Sequence, residues 1–161
     1  MRALLQRVSR ARVCARGSDG EFEPTGEIER GLFVLLCAMR GDTEREARSL
    51  LGDVLNYRVF GDERGRMNRS LLDERLALLV VSQFTLAADG RKGRRPSFDG
   101  AAPPQVAEPL YELFVQLAGE AGVRVGTGSF GAEMRCEILN DGPATFLLER
   151  EPRGELPATT D

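Results

Sequence analysis

The chain contains no histidine and no tryptophan. Without an imidazole it has no Ser/His/Asp triad, no Cys/His pair, no His-bearing zinc site and no histidine general base. Its chemistry must come from carboxylates, hydroxyls, thiols, backbone groups or the substrate itself. Cysteine is scarce and odd in number. Cys14, Cys37 and Cys136 are widely spaced among apolar neighbours with no CxxC pair, which fits small buried hydrophobes in a reducing compartment rather than a disulfide framework. Lysine is nearly absent: Lys92 is the one lysine among 22 basic residues, which leaves 21 arginines. Their planar forked donors suit phosphate. No apolar run approaches the roughly 20 residues that cross a bilayer, and Arg2 and Arg7 interrupt the start before a signal-peptide core forms. The expectation is a cytoplasmic protein with no membrane partner.

What is present describes one globular domain. The 161 residues are 42% hydrophobic and 29% charged, enough to bury a core without disulfides or a metal. The net charge of -3 excludes the global positive field of a duplex-coating protein, but not a local contact with a nucleic-acid end.

Periodicity places the elements. Ala11, Val13 and Ala15 alternate with Arg10, Arg12, Cys14 and Arg16, the period of a half-exposed strand. A turn is expected over Gly17 to Gly20. The run Leu32 to Met39 reads as a strand buried on both faces, and Leu76 to Phe84 as a second. Between them, Thr43 and Glu46 have capping-box spacing, and Ala47, Leu50, Leu51, Val54 and Leu55 form one helical stripe. Ala87 to Pro104, with its glycines and prolines, reads as a long loop, the kind that often carries function. Pro103-Pro104 opens a second helix whose apolar face is Val106, Leu110, Leu113, Phe114 and Leu117, with Pro109 kinking it or lying in its first turn. Strands are expected over Val123 to Val125, Met134 to Asn140 and Thr145 to Leu148, the last two joined by a tight turn at Asn140-Asp141-Gly142-Pro143. Together these predict a single α/β domain of mixed β-sheets packed with two main helices.

Three segments could carry chemistry. Ser82-Gln83-Phe84-Thr85 stands where an apolar strand ends, a common ligand position in α/β folds. Ser82 and Thr85 either satisfy backbone groups there or belong to an oxyanion hole of consecutive N–H groups with Thr85 as an added hydroxyl. Gly142-Pro143 is either an ordinary turn or, if cis, a rigid pair of carbonyl acceptors. Arg91, Lys92, Arg94 and Arg95 are either a solvated loop or a hold on a phosphate backbone. The glycines form neither GxGxxG nor a Walker loop, and no two carboxylates share an apolar strand context, so neither nucleotide hydrolysis nor a glycosidase-like acid/base pair has support.

Taken in order, Gln6-Arg7-Val8, Thr25-Gly26-Glu27-Ile28, Val81-Ser82-Gln83-Phe84-Thr85-Leu86, Arg95-Pro96-Ser97-Phe98, Phe130-Gly131-Ala132-Glu133-Met134 and Asn140-Asp141-Gly142-Pro143-Ala144 closely resemble the bacterial-type D-aminoacyl-tRNA deacylases, formerly called D-tyrosyl-tRNA deacylases. The likeness spans residues 1–149, read as one deacylase-like domain, with 150–161 as a flexible tail. It implies a deacylase-type three-layer fold and a homodimer that hydrolyses the ester between a D-amino acid and the 3′-terminal adenosine of tRNA, with no metal or cofactor. By this resemblance Gly142 and Pro143 form a cis-peptide chiral gate that reaches into the partner subunit's pocket and excludes L-amino acids. Ser82, Gln83, Phe84 and Thr85 line the ester site, Arg7 braces the Gly-Pro turn, and Phe130 and Met134 help form the adenosine pocket. Ala144 replaces a larger residue usual after Gly-Pro, and Cys37 stands where glycine is common. An ester is already activated, so positioning and oxyanion stabilisation suffice, and glycyl-tRNA, lacking a side chain to reject, is expected to be cleaved as well. Thr85 as covalent nucleophile is the competing mechanism. A tRNA-end binding module without catalysis and a small-molecule esterase are the alternatives.

Overall fold

A computed structural model describes residues 1–91 and 93–152. Its organising element is β1 (Arg2–Arg16), long enough to serve two layers. β2 (Phe22–Ile28) pairs antiparallel with the second half of β1, and β3 (Gly31–Cys37) pairs antiparallel with the first half. The register is continuous across the two: Ala11 faces Ile28 and Val8 faces Gly31, so β2 and β3 are one hairpin arm bent between Ile28 and Gly31.

Helix α1 (Glu44–Asn56) follows, capped as its sequence predicts: the Glu46 carboxylate accepts the Thr43 N–H at 3.0 Å, and Thr43 Oγ1 accepts the Arg45 N–H at 3.3 Å. A short antiparallel ribbon, β4 (Phe60–Gly61) and β5 (Met67–Arg69), leads to β6 (Ala77–Ser82), which lies parallel to β3. After a 3-10 turn (Phe84–Ala87) and a loop, α2 (Pro104–Glu120) crosses back to β7 (Val125–Thr127), parallel to β6, and β8 (Met134–Glu149) runs antiparallel along the free edge of β1. Pro109 sits in the second turn of α2, inside the helix rather than at its start.

The expected mixed β-layers are two limbs of one six-stranded sheet folded over itself. The fold nearly closes where β2 meets β7: a Cβ on Gly26 would stand 2.5 Å from the Thr127 carbonyl oxygen, so only glycine permits that approach. Val8, Val13, Ile28, Phe33, Leu79 and Val81 fill the inside of the fold. Leu5, Leu32, Val34, Leu78 and Val80 face the other way, onto α1 and α2. Alternate residues of β3 and β6 therefore enter two different cores, which is why both read as continuous apolar runs. The result is a mixed α/β domain in three layers: helices, one limb, the other limb.

Several local expectations differ: β3 ends at Cys37 rather than Met39, and the strand expected over Val123 to Val125 is β7 at Val125–Thr127. β6 ends at Ser82 rather than Phe84, and Asn140-Asp141-Gly142-Pro143 does not join two separate strands. On β8, Thr145 pairs with Gln6 and Asn140 with Val8, so residues 141–144 bulge out opposite the single residue Arg7. A bulge preserves the ladder with β1 on both sides, which a chain-reversing turn would break. Of the C-terminal segment, residues 153–161 lie outside the described residues, as does Lys92.

Candidate active site

Where β6 stops, its last rung is the Gln83 N–H donating to the Leu36 carbonyl at 2.8 Å. The backbone then tightens into the 3-10 turn, whose first two amides have no intrahelical acceptor by geometry. Among the described residues the N–H groups of Phe84 and Thr85 donate to no other group. The Gln83 side-chain amide donates to Thr85 Oγ1 at 2.6 Å, which fixes that hydroxyl.

This strand end opens into a cavity of about 640 Å³. Ser82, Gln83 and Phe84 form one wall, and Phe130 and Met134, from the segment entering β8, form another. Phe84 is 59% exposed, a large apolar surface left at the mouth, and its ring meets Phe98 edge-on at 5.1 Å. Tyr111 of α2 lies beneath, its hydroxyl donating to the Val80 carbonyl at 2.9 Å and its ring 5.8 Å from that of Phe130. Burial pushes the Tyr111 phenol up to about 12. Cys37, also lining the cavity, has its thiol raised by burial, and its Sγ lies 3.7 Å from the Phe84 carbonyl oxygen. Both groups are therefore neutral at pH 7. No carboxylate lines the cavity among the described residues. What it offers is hydroxyls, amides and aromatic faces, suited to orienting a neutral polar substrate and stabilising a developing oxyanion.

The remaining candidates sit elsewhere on the chain. Gly142 and Pro143 belong to the bulge in β8, and their peptide bond is cis. Gly142 has φ +152°, and a Cβ there would stand 2.5 Å from the Ala144 nitrogen. Arg7, the residue facing the bulge, donates from Nε to the Asp141 carbonyl at 2.9 Å and from Nη1 to the Val59 carbonyl at 2.6 Å. Asn140 holds the bulge's base: its Nδ2 donates to the Arg7 and Ala144 carbonyls at 3.0 Å each, and its Oδ1 accepts the Ala144 N–H at 3.2 Å. Ser82, Gln83, Phe84, Phe130 and Met134 line the cavity; Thr85, next in the chain after Phe84, does not, and Arg7, Gly142 and Pro143 form a separate constellation. The sequence singles out Asn140 only as part of a turn, although its short amide can donate to and accept from a strand backbone at once, and Tyr111 reads as an ordinary residue of α2.

The basic loop is only partly free. Asp89 grips Arg91 through Nε at 2.9 Å and Nη2 at 2.6 Å, which holds the Asp89 carboxyl down at about 2. Arg94 and Arg95 are exposed and make no ion pair among the described residues.

The family model described as D-Tyr-tRNA(Tyr) deacylase matches residues 4–149. A D-aminoacyl-tRNA deacylase of Pseudomonas aeruginosa (strain LESB58) is 56% identical over 149 residues, covering 92% of this chain and 99% of that protein. Its counterpart from Janthinobacterium sp. (strain Marseille) is 51% identical over 152 residues, covering 94% and 99%. Among solved structures, a c-Myc DNA Unwinding Element Binding Protein superposes with a TM-score of 0.85 at 38% identity, covering 94% of this chain and all of that one. A probable eukaryotic D-amino acid tRNA deacylase superposes with a TM-score of 0.75 at 18% identity, covering 91% and 97%, a likeness of fold.

Proposed function

The chain belongs to the D-Tyr-tRNA(Tyr) deacylase family, and we propose that it hydrolyses the ester between a D-amino acid and the 3′-terminal adenosine of tRNA. The observation that carries this reading is the cavity at the end of β6, lined by Ser82, Gln83 and Phe84 with no carboxylate among the described residues, and followed in the chain by Thr85, whose hydroxyl the Gln83 amide holds. An aminoacyl ester needs no stronger catalyst. Its carbonyl is activated, and its ribose carries a vicinal 2′-hydroxyl that orients or activates water. The Phe84 and Thr85 amides take the oxyanion, and the Phe130, Met134 and Tyr111 surface takes the adenine. Thr85 serves by position. As a nucleophile it would need a base, and its one hydrogen-bond partner among the described residues, the Gln83 amide, donates to it.

The gate comes from a second copy. Gly142 and Pro143 lie away from the cavity of their own chain, and β8 leaves Leu139 and Leu147 exposed, apolar surface for a partner to cover. In the homodimer the bulge of one subunit enters the cavity of the other, and its main-chain carbonyls exclude an L-side chain by collision and desolvation. Arg7 and Asn140 keep those carbonyls in place. Glycine has nothing to collide, so glycyl-tRNA is a substrate as well.

One assay tests the reading: release of amino acid from D-tyrosyl-, L-tyrosyl- and glycyl-tRNA. The expected result is turnover of the first and third but not the second. Binding of D-tyrosyl-tRNA without turnover would instead mark a tRNA-end binding module, and cleavage of simple D-amino-acid esters alone would mark a small-molecule esterase. Thr85→Ala retains hydrolysis within about tenfold if the hydroxyl only positions the ester, and abolishes it if Thr85 is the nucleophile.

A further inference from the structure

A second cavity of about 690 Å³ lies beside the first. The wall between them is thin: Met39 bridges Ala101, and the Arg40 N–H donates to the Gly100 carbonyl at 2.9 Å. The 3-10 turn serves both, with Phe84 in the first cavity and Ala87 in the second. Their chemistry differs sharply. Arg2, Arg91 and Arg95 line the second, with Asp89 and Asp99.

The charge arrangement decides what this cavity accepts. Asp89 is engaged with Arg91 through several hydrogen bonds, and so fixes that guanidinium more than it opposes an incoming anion. Arg2 is held by the Leu86 carbonyl at 2.7 Å and by Glu149 at 2.6 Å. Each fork has five N–H groups, so both keep donors to spare. Arg95 is exposed and has no side-chain partner among the described residues. Only Asp99 stands against them with a carboxylate that makes no ion pair among the described residues. Two pre-positioned guanidinium groups and one free one suit an anion with several acceptor oxygens, the chemistry of a phosphate.

We propose that this cavity holds the phosphodiester on the 5′ side of the terminal nucleoside, with Arg95 as its main contact and Arg2 and Arg91 as fixed walls. The inference rests on the deacylase reading: a nucleoside seated against Phe130 continues into a strand whose next charged group must be placed nearby, and the neighbouring cavity is the arginine-lined one. Arg95 acts on binding, since it lines this cavity and not the one assigned to the ester.

The test compares two substrates that differ in phosphate. D-tyrosyl-tRNA carries the diester, and 3′-O-D-tyrosyl-adenosine carries none. Wild type, Arg95→Ala and Arg95→Lys are assayed on both, between about 50 and 200 mM salt. Arg95→Ala is expected to raise KM for the tRNA roughly three- to thirtyfold without changing kcat, and to lower the log–log salt slope by about 0.7. It should leave the adenosine ester cleaved at the wild-type rate, and Arg95→Lys should recover the slope. An unchanged KM and slope for the tRNA, or an equal loss on both substrates, overturns the phosphate site while the deacylase reading stands. A wild-type protein that cleaves neither ester overturns that reading and this inference with it.

Discussion

Replacing Asp42 with asparagine should destabilise the protein by about 3 kcal/mol, because it strands a buried charge. The Met1 ammonium and the Asp42 carboxylate lie 2.8 Å apart with both side chains at 0% exposure. Asp42 also accepts the Met39 N–H at 2.6 Å, and the Arg150 N–H donates to the Met1 carbonyl at 2.8 Å. One carboxylate thus ties the start of β1 to the end of β3 and, through Met1, to the end of β8. Asparagine keeps the shape and one acceptor oxygen but removes the countercharge. Breaking one side of a buried pair costs about 3–5 kcal/mol, and the retained acceptor places this case at the low end. For a domain of this size, about 3 kcal/mol corresponds to a Tm lower by roughly 6–12 °C. The assay is urea unfolding at pH 6, with Glu44→Gln as the control. Glu44 pairs with Arg48 at 71% exposure, and its loss should cost under about 0.5 kcal/mol. Met1 lines the catalytic cavity as well, so Asp42→Asn should also raise KM for the aminoacyl ester. A loss below about 1 kcal/mol with an unchanged m-value would refute the claim that this charge is desolvated and dependent on its partner.

Three further outcomes follow from named contacts. Asn140→Ala removes both donations to the Arg7 and Ala144 carbonyls and the acceptor for Ala144, and should cost about 1–3 kcal/mol in denaturant melts while raising L-tyrosyl-tRNA cleavage relative to D. Gly142→Ala forces a side chain onto φ +152° and within 2.5 Å of the Ala144 nitrogen, so a Tm drop of several degrees is expected by calorimetry. Burial pushes the Tyr111 phenol up to about 12 in the folded chain, from an ordinary value of about 10, so its burial stabilises fully below pH 10 and that contribution fades as pH rises towards 12. Wild type should accordingly lose about 2 kcal/mol more than Tyr111→Phe over that interval in urea titrations, and parallel curves would contradict the burial of the phenol.

How much of this was legible in the sequence depends on where the determining contact lies. α1 was readable from Thr43, Glu46 and the stripe from Ala47 to Leu55 because capping and amphipathicity are local. β3 and β6 were readable because burial on both faces forces unbroken apolar runs. β2, by contrast, carries Pro24, Gly26 and two glutamates, and what makes it a strand is its pairing with β1, which no local pattern reports. The Asn140 to Pro143 segment was misread for the same reason. Asn-Asp-Gly-Pro is a turn signal, but β1 continues past it and pulls both flanks into a single ladder. At the site, the strand-end residues Ser82 to Thr85 were visible as a break in hydrophobicity. Tyr111, the Asn140 clamp and the Asp89 grip on Arg91 are side-chain meetings decided by the tertiary fold.

The absence of histidine acquires a physical consequence here beyond excluding triads. Burial raises the two thiols and the phenol that line the cavity, Cys37, Cys136 and Tyr111, so none of them changes charge near neutrality. Of the charged groups on lining residues, Arg40 is a permanent cation and the Met1 ammonium is paired with Asp42. A site of this kind has nothing to gain from a tuned base, so its selectivity has to come from shape. Shape, in turn, is what the bulge of β8 supplies. The bulge at 141–144 is held on one side by Arg7, itself anchored to Val59, and across its base by the three hydrogen bonds of Asn140. Gly142 and Pro143, so fixed, do not line the cavity of their own chain. In the homodimer we propose, the bulge would present a neighbouring copy with a rigid set of acceptors, discriminating by collision what the neutral cavity cannot discriminate by charge.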